Sequence, residues 1–502
     1  MSLRSFTLHD QIERNAWLHG PRTAFVVDGL RITHAEYAAR VARLAVGLAA
    51  AGVGVGDRVA ILAPNGAVYV DLFGAAARLG AIVVPVNWRL SAEEVAYVLA
   101  DTTPRVLIAA ADMQPLVAGA ELAAVQTFTT GEPAGRWRPV QSLDMQTPAP
   151  PPADIDDDAG LAIVHTAAVG GRPRGALLSH RGLLAAAARS VRGWSLTADD
   201  VQLGVLPLFH LAGIGMLLAL QAAGGSSIVL PRFDPKAVVD LVERERGSVM
   251  GSFPPMLASV LDAAAAAGSA LKSLRVVSGI EAPETLARFA SSCPHADFWV
   301  AYGQTETSGS VSMARYADRP GSAGLPIENH VVALVDAEDR PVAAGATGEI
   351  VVRGPMVFCG YWNRDEDNAQ TFRSGWHHTG DMGRFDADGY LWYVGRSPAK
   401  ELIKPGGENV YPAEVERALC EHPAIAAAVV FGVPDAQWGE AVKAVCATAP
   451  GAAVTAEALI EFVGQRIARY KKPKHVVFVD VLPRDATGAI DRAAVKAAHG
   501  GH

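Results

Sequence analysis

Apolar and alanine positions fall at helical spacing from Thr33 to Ala51, and the run stops at Gly52. That pattern predicts a helix, and Thr33 followed three residues on by Glu36 supplies a capping box at its start. GDRVAILAP (56–64) then predicts a short buried strand, AVYVDLFGAAARLG (67–80) a helix closed by glycine, and AIVVPVN (81–87) a second strand. Strand, helix and strand in that order imply a parallel crossover sheet covered on both faces. MQTPAPPPADIDDDAG (145–160) interrupts the alternation with four prolines and an acid cluster, the composition of a solvated connector. Alternation resumes from Leu161 to about Asp318. Beyond Gly321 the pattern becomes mainly strands: HVVALVDAEDRPV, GEIVVRG and GYLWYVGR.

From about residue 400 the chain starts afresh. A glycine loop leads into a helix, PAEVERALCEH, and two strands, AIAAAVVFG and KAVCATA. A helix over ALIEFVGQRIARY (458–470) and a last strand, HVVFVDV, follow. About 100 residues of this kind suffice for an independent α+β domain. The expected fold is therefore α/β, in two domains. Residues 1–398 form a large domain with doubly covered sheets and a β-rich subdomain, and residues 399–502 form a small α+β domain.

Composition narrows the function. The 502 residues are half apolar and 19% charged, which excludes a disordered chain. The 52 acidic against 44 basic residues give a net charge of −8, the wrong sign for a nucleic-acid binder, so the expected partners are small molecules. Four scattered cysteines make neither a disulfide framework nor a metal knuckle. The first residues, MSLRSFTLHDQIERN, lack a secretory pattern, and the most apolar window, Leu203 to Ala223, is broken by Pro207 and His210. A cytoplasmic protein without a membrane span is expected, as monomer or homodimer.

Three segments carry chemistry. IVHTAAVGGRPRGALLSH (163–180) is a strand, a glycine-bearing loop with two arginines, and a second strand. Glycines let backbone N–H groups converge on an anion, so the loop suits phosphates, although it is not a Walker loop and also reads as a surface hairpin. AYGQTETSG (301–309) sets one carboxylate, Glu306, among hydroxyls just past a strand end. One carboxylate beside phosphates is what Mg2+ requires, and an exposed loop acid is the plainer reading. GWHHTGDMG brings Asp381, and GYLWYVGR ends at Arg396. An aspartate accepts both ribose hydroxyls and an arginine binds ribose or phosphate, while for either residue alone a turn acid or a surface arginine is the plainer reading.

In this order the three segments resemble the adenylate-forming (AMP-binding) superfamily of acyl-CoA synthetases, luciferases and nonribosomal adenylation domains. GDRVAILAPN, VPVNWRLSAEE, LPLFH (206–210), VSGIEAP (277–283), GEIVVRGPMVFCGYWNR, ELIKPGGENVYPAEVE (401–416) and RYKKPKHVVFVDVLPRDATG (469–488) extend the likeness over almost the whole chain. The resemblance implies an acyl-CoA synthetase: ATP activates a carboxylate as acyl-adenylate, and the acyl group then passes to CoA, with a mobile small domain serving both steps. It implies that Tyr302 stacks on adenine with Ser278 and Gly279 along its edge. Thr305 contacts the α-phosphate, Glu306 holds Mg2+, and Asp381 and Arg396 take the ribose. Thr166, Gly170, Gly171 and Arg174 belong to the phosphate loop, and His210 is the gate between acyl pocket and thiol tunnel. Lys400 is the hinge, and Trp438, Tyr470, Lys472 and Lys474 match CoA contacts of some relatives.

Two departures stand out. Ala167, Ala168 and Val169 replace the hydroxylic residues usual in the family's phosphate loop, and Arg174 replaces its lysine. The family's terminal TGK reads Thr487, Gly488, Ala489, so the lysine that bridges carboxylate and α-phosphate is missing. Either an engineered substitution or a naturally impaired first step fits. The expected acyl lining, His210–Gly213, Ser252, Phe253, Ile280 and Gly303–Gly309, is small or apolar, and the adjacent Glu281, unusual for the family, reads either as a solvent-facing acid or as a reader of a polar group on the substrate. A fatty or aryl monocarboxylate follows. The rivals are a carrier-free adenylation enzyme, a luciferase-like oxygenase and a nucleotide-binding regulator without turnover.

Overall fold

The computed structural model describes residues 5–149, 151–166, 172–396, 401–485 and 490–500. The helix predicted after Thr33 runs His34–Ala50, and both bonds of the Thr33–Glu36 capping box are present. Arg58–Leu62 and Ile82–Pro85 pair in parallel, with Val59 opposite Val83, across the helix Ala67–Leu79. That helix ends on Gly80 in the left-handed region, φ 67°, where glycine carries no steric penalty. These strands belong to an eight-stranded sheet.

A second, nine-stranded sheet carries Val201–Gly204, Val249–Ser252, Val276–Gly279 and Asp297–Gln304 as parallel neighbours. Between the two sheets lies the helix Leu211–Ala223, the most apolar stretch of the sequence. Its Ile214, Leu217 and Leu218 join the core of the first sheet, and Met216, Ala219 and Leu220 join that of the second. A helix apolar all round is what a central sandwiched position demands. Among the described residues no helix is long and apolar enough to cross a membrane.

The β-rich part is a five-stranded antiparallel sheet. Its register sets Asp381 on Trp376–Phe385 directly opposite Arg396 on Leu391–Arg396. The last part is a three-stranded sheet of Ile425–Asp435, Gly439–Thr448 and His475–Val479. Helices Pro412–Cys420 and Ala456–Gly464 cover one face, through Val415, Leu419, Leu459 and Val463. Arg492–His499 covers the other through Val495.

One helix differs from expectation. The pattern over 458–470 predicts a single helix, but it stops at Gly464, and Arg469–Lys471 form a separate 3-10 turn. The cause is tertiary. The Ala468 N–H donates to Glu94 Oε2 of the large domain at 3.0 Å, which takes the chain off the helical path.

Candidate active site

Strand ends bring the expected residues together. Thr166 closes the strand Gly160–Thr166, and Glu306 follows Asp297–Gln304 in a short 3-10 turn. The Thr166 hydroxyl donates to Glu306 Oε1 at 3.3 Å, and the Tyr361 hydroxyl to the same oxygen at 2.8 Å. Arg174 stacks 3.9 Å from the Tyr361 ring centre and donates to Asp367 Oδ1 at 2.8 Å. Glu306 is buried. Tyr361 and Asp367 were not singled out from sequence, although GYWNR, which contains Tyr361, was part of the likeness.

On the strand that leads into Glu306, Tyr302 donates through its hydroxyl to Asp381 Oδ2 at 2.9 Å, and Gln304 Nε2 donates to the same oxygen at 2.5 Å. Burial, reinforced by the Asp381 charge, pushes the Tyr302 phenol far up, so it stays a donor. The Tyr393 ring lies 6.2 Å from that of Tyr302 and is itself 44% exposed, an aromatic face open to the cleft. Ser278 and Gly279 sit one strand away, opposite Trp299 and Val300.

Gly279 has φ +155°, and a Cβ there would come within 1.8 Å of the Ser252 carbonyl oxygen. Only glycine fits so close a backbone approach. Gly279→Ala is therefore expected to destabilise the protein by about 1–3 kcal/mol, read as a lower urea midpoint. An unchanged midpoint would contradict the close approach.

His210 faces the small domain. Its Nε2 lies 3.1 Å from Glu408 Oε2, and Arg89 donates to the other oxygen of the same carboxylate. Burial alone would raise the Glu408 carboxyl, but His210 and Arg89 outweigh it and hold it down at about 2. Glu408 thus remains ionised. A cavity of about 60 Å³ beside this pair is lined by Thr166, Thr305, His210, Glu408 and Tyr470, among others. A larger cleft of about 800 Å³ opens between the domains, with Ile280, Tyr393, Arg396, Trp438 and Lys404 on its walls.

The proposed CoA contacts therefore divide, Trp438 onto the large cleft and Tyr470 onto the small cavity. Lys474 Nζ donates to Asp435 Oδ2 at 2.5 Å, and Lys472 lies half-buried with its stem over Gly464. Of the acyl lining, Phe253 and Ile280 reach the cleft, while Gly213 and Gly303 abut the carbonyls of Pro207 and Gly309. Glu281 points neither to solvent nor to the cleft. It is buried, and its Oε1 accepts from Ser252 Oγ at 2.6 Å and from the Leu257 N–H at 3.2 Å. It thereby caps the helix Met256–Ala267, whose N-cap Pro255 has no capping side chain. Gly170, Gly171, Lys400 and Ala489 lie outside the described residues.

Mg2+ takes hard oxygen ligands and, beside phosphates, needs only one or two carboxylates from the protein. Among the described residues no group of three or more His, Cys, Asp or Glu comes together. A single buried carboxylate amid hydroxyls fits an ion held chiefly by phosphate oxygens and water, and Glu306 is that carboxylate.

Strand-end hydroxyls around one buried acid, beside an aromatic–aspartate pair and beneath a second domain, line a crevice of the kind in which α/β sheets place ligands. The AMP-binding enzyme model matches residues 12–362 and the AMP-binding enzyme C-terminal domain model matches 414–489, so the chain belongs to the AMP-binding enzyme family. It is 38% identical to a feruloyl-CoA synthase of Amycolatopsis sp, over 96% of this chain and 97% of the relative. It is 36% identical to an indoleacetate–CoA ligase of Aromatoleum aromaticum, over 97% of each. The fold also matches o-succinylbenzoate CoA synthetase from Bacillus subtilis in two states. A double mutant carrying a CoA product analogue gives a TM-score of 0.85 at 28% identity, covering 97% of this chain and 98% of that one. The complex with the acyl-adenylate intermediate gives 0.70 at 29% identity, covering 98% and 99%.

Proposed function

We propose that this chain is an ATP-dependent CoA ligase for a carboxylic acid that bears an aromatic ring. The observation that carries the reading is the convergence of Thr166, Thr305, His210 and Glu408 on one cavity, next to the Glu306 cluster and the Tyr302–Asp381 pair. The aryl preference draws on the feruloyl and indoleacetate relatives, and the absence of an arginine among the expected acyl-lining residues favours a monocarboxylate.

A carboxylate is a poor electrophile. In the first step its oxygen attacks the α-phosphorus of ATP and pyrophosphate leaves. In the second, CoA sulfur attacks the acyl carbon and AMP leaves. Tyr302 and Tyr393 offer aromatic surface to adenine. Asp381 and Arg396, held opposite each other by strand register, take the ribose. Thr166 and Thr305 donate to phosphate oxygens. Glu306 would hold Mg2+, which when bound neutralises charge on the phosphates. His210, turned onto Glu408, lines the cavity in which the thiol would meet the acyl carbon.

Ala489 removes a cation from the first step only. Supplied acyl-adenylate and CoA are therefore expected to give acyl-CoA with the chain as it is. A panel of aryl and fatty acyl-adenylates, read by thioester formation, tests this. Aryl members should turn over faster, and silence across the panel would move the reading to a nucleotide-binding regulator.

A further inference from the structure

The two domains also meet through a second charged contact, apart from His210–Glu408. Lys471, 1% exposed, lies between two buried carboxylates. Its Nζ donates to Glu414 Oε1 at 2.8 Å and, more closely, to Glu94 Oε1. Glu414 sits on Pro412–Cys420 of the small domain, so that pair stays within one domain. Glu94 sits on Ala92–Thr102 of the large domain, as the third residue of a capping box begun by Ser91. Its Oε2 accepts the Ser91 N–H at 2.7 Å and the Ala468 N–H at 3.0 Å. One carboxylate of the large domain thus takes two donors from the small domain, and Ala468 itself is buried in the large domain's core cluster.

Were the small domain to turn away, Glu94 would keep its Ser91 cap and regain water, and Lys471 would keep Glu414. Only the bonds that cross between domains would be lost. The contact therefore distinguishes one domain orientation from others. In this orientation the small-domain residues on the catalytic cavity are Glu408, Asn409, Tyr470 and Lys471, and no described residue beyond 480 lines it. Overall likeness is also greater to the CoA-product form of the Bacillus relative than to its acyl-adenylate form.

Resting on the CoA-ligase reading, we propose that Glu94 and Lys471 are positioning residues, a clasp that selects the domain orientation used for thioester formation. Burial and the nearby Glu94 charge push the Glu414 carboxyl up, while Lys471 and the Ser91 N–H hold Glu94 down despite its burial. The bond that crosses between the domains is the one to Glu94, whereas Glu414 pairs with Lys471 within the small domain, so Glu414 is dispensable to the clasp.

The test measures the two half-reactions separately on the full chain. Thioester formation is followed from supplied acyl-adenylate and CoA, and adenylation as acid-dependent ATP–pyrophosphate exchange in an Ala489→Lys background. Glu94→Gln preserves size and leaves Lys471 neutralised by Glu414. It is expected to lower kcat of the thioester step by about 10–100-fold, with KM for the acyl-adenylate unchanged and exchange kept within about twofold. Glu414→Gln should change neither step by more than about twofold. Equal losses in both half-reactions for Glu94→Gln, no loss in either, or an equal effect of Glu414→Gln would overturn the clasp. Small-angle X-ray scattering gives a readout free of activity. Glu94→Gln should alter the profile and Glu414→Gln should not, and identical profiles for Glu94→Gln and the parent would equally overturn it. If the parent makes no thioester, the ligase reading fails, and scattering alone decides the clasp.

Discussion

Ala489→Lys is expected to raise acid-dependent pyrophosphate release by about 10²–10³-fold. The first step brings two anions together, the acid and the α-phosphate, and a methyl group at 489 offers neither charge nor donor. The nearby Arg492 is already engaged. Arg492 donates to Glu416 Oε1 and to Glu401 Oε2, each at 2.6 Å, and to the Val430 carbonyl at 3.0 Å, all within the small domain. Lys496 lies one turn further along the same helix. A rate unchanged by the new lysine would show that position 489 is not the bridging position. The thioester step from supplied acyl-adenylate should move little, because the bridging charge has by then done its part.

The second large effect concerns Glu306. In the Ala489→Lys background, Glu306→Gln is expected to lower kcat for adenylation by about 10²–10³-fold with little change in KM for the acid. Glutamine keeps a carbonyl oxygen for the Thr166 and Tyr361 hydroxyls, so the substitution isolates charge from shape. A steady-state Mg2+ titration checks it, and the variant should need far more Mg2+ for half-maximal rate. Thioester formation should be nearly untouched, since pyrophosphate has already left. A variant impaired equally in both steps would mean that Glu306 supports the fold of the turn, not the metal.

Local signals in the chain proved readable where the physics is local. The Thr33–Glu36 box, the glycine stop at Gly80 and the crossover strands each depend on neighbours a few residues apart. Thr166, Glu306, Tyr302 and Asp381 were picked out by the resemblance of their segments to the family, since each alone reads as plainly as a loop or turn residue, and the structure brings them together near strand ends. Their partners were not picked out. Tyr393 and Glu408 lie inside the segments GYLWYVGR and GGENVYP, but what they face is set by strand register and by pairing across 198 residues, from His210 to Glu408. The basic run RYKKPK shows the limit best. Lys472 and Lys474 drew notice as cations for CoA, yet Lys471, between them and Tyr470, is the buried one. Nothing local separates three neighbouring lysines. Only the two acids that meet Lys471, one from each domain, do so. The same contact ended the 458–470 helix early, tertiary bonding having overridden propensity. Glu281 shows the reverse error, an unusual residue in a ligand loop that caps a helix instead.

The account turns on one crevice that holds nucleotide and acid together. Its most direct test is a crystal structure with a non-hydrolysable feruloyl-adenylate analogue. Adenine should lie against Tyr302 and Tyr393, the ribose hydroxyls on Asp381, and the acyl carbonyl toward His210. A nucleoside bound away from Tyr302 and Asp381 would contradict the site and the mechanism built on it.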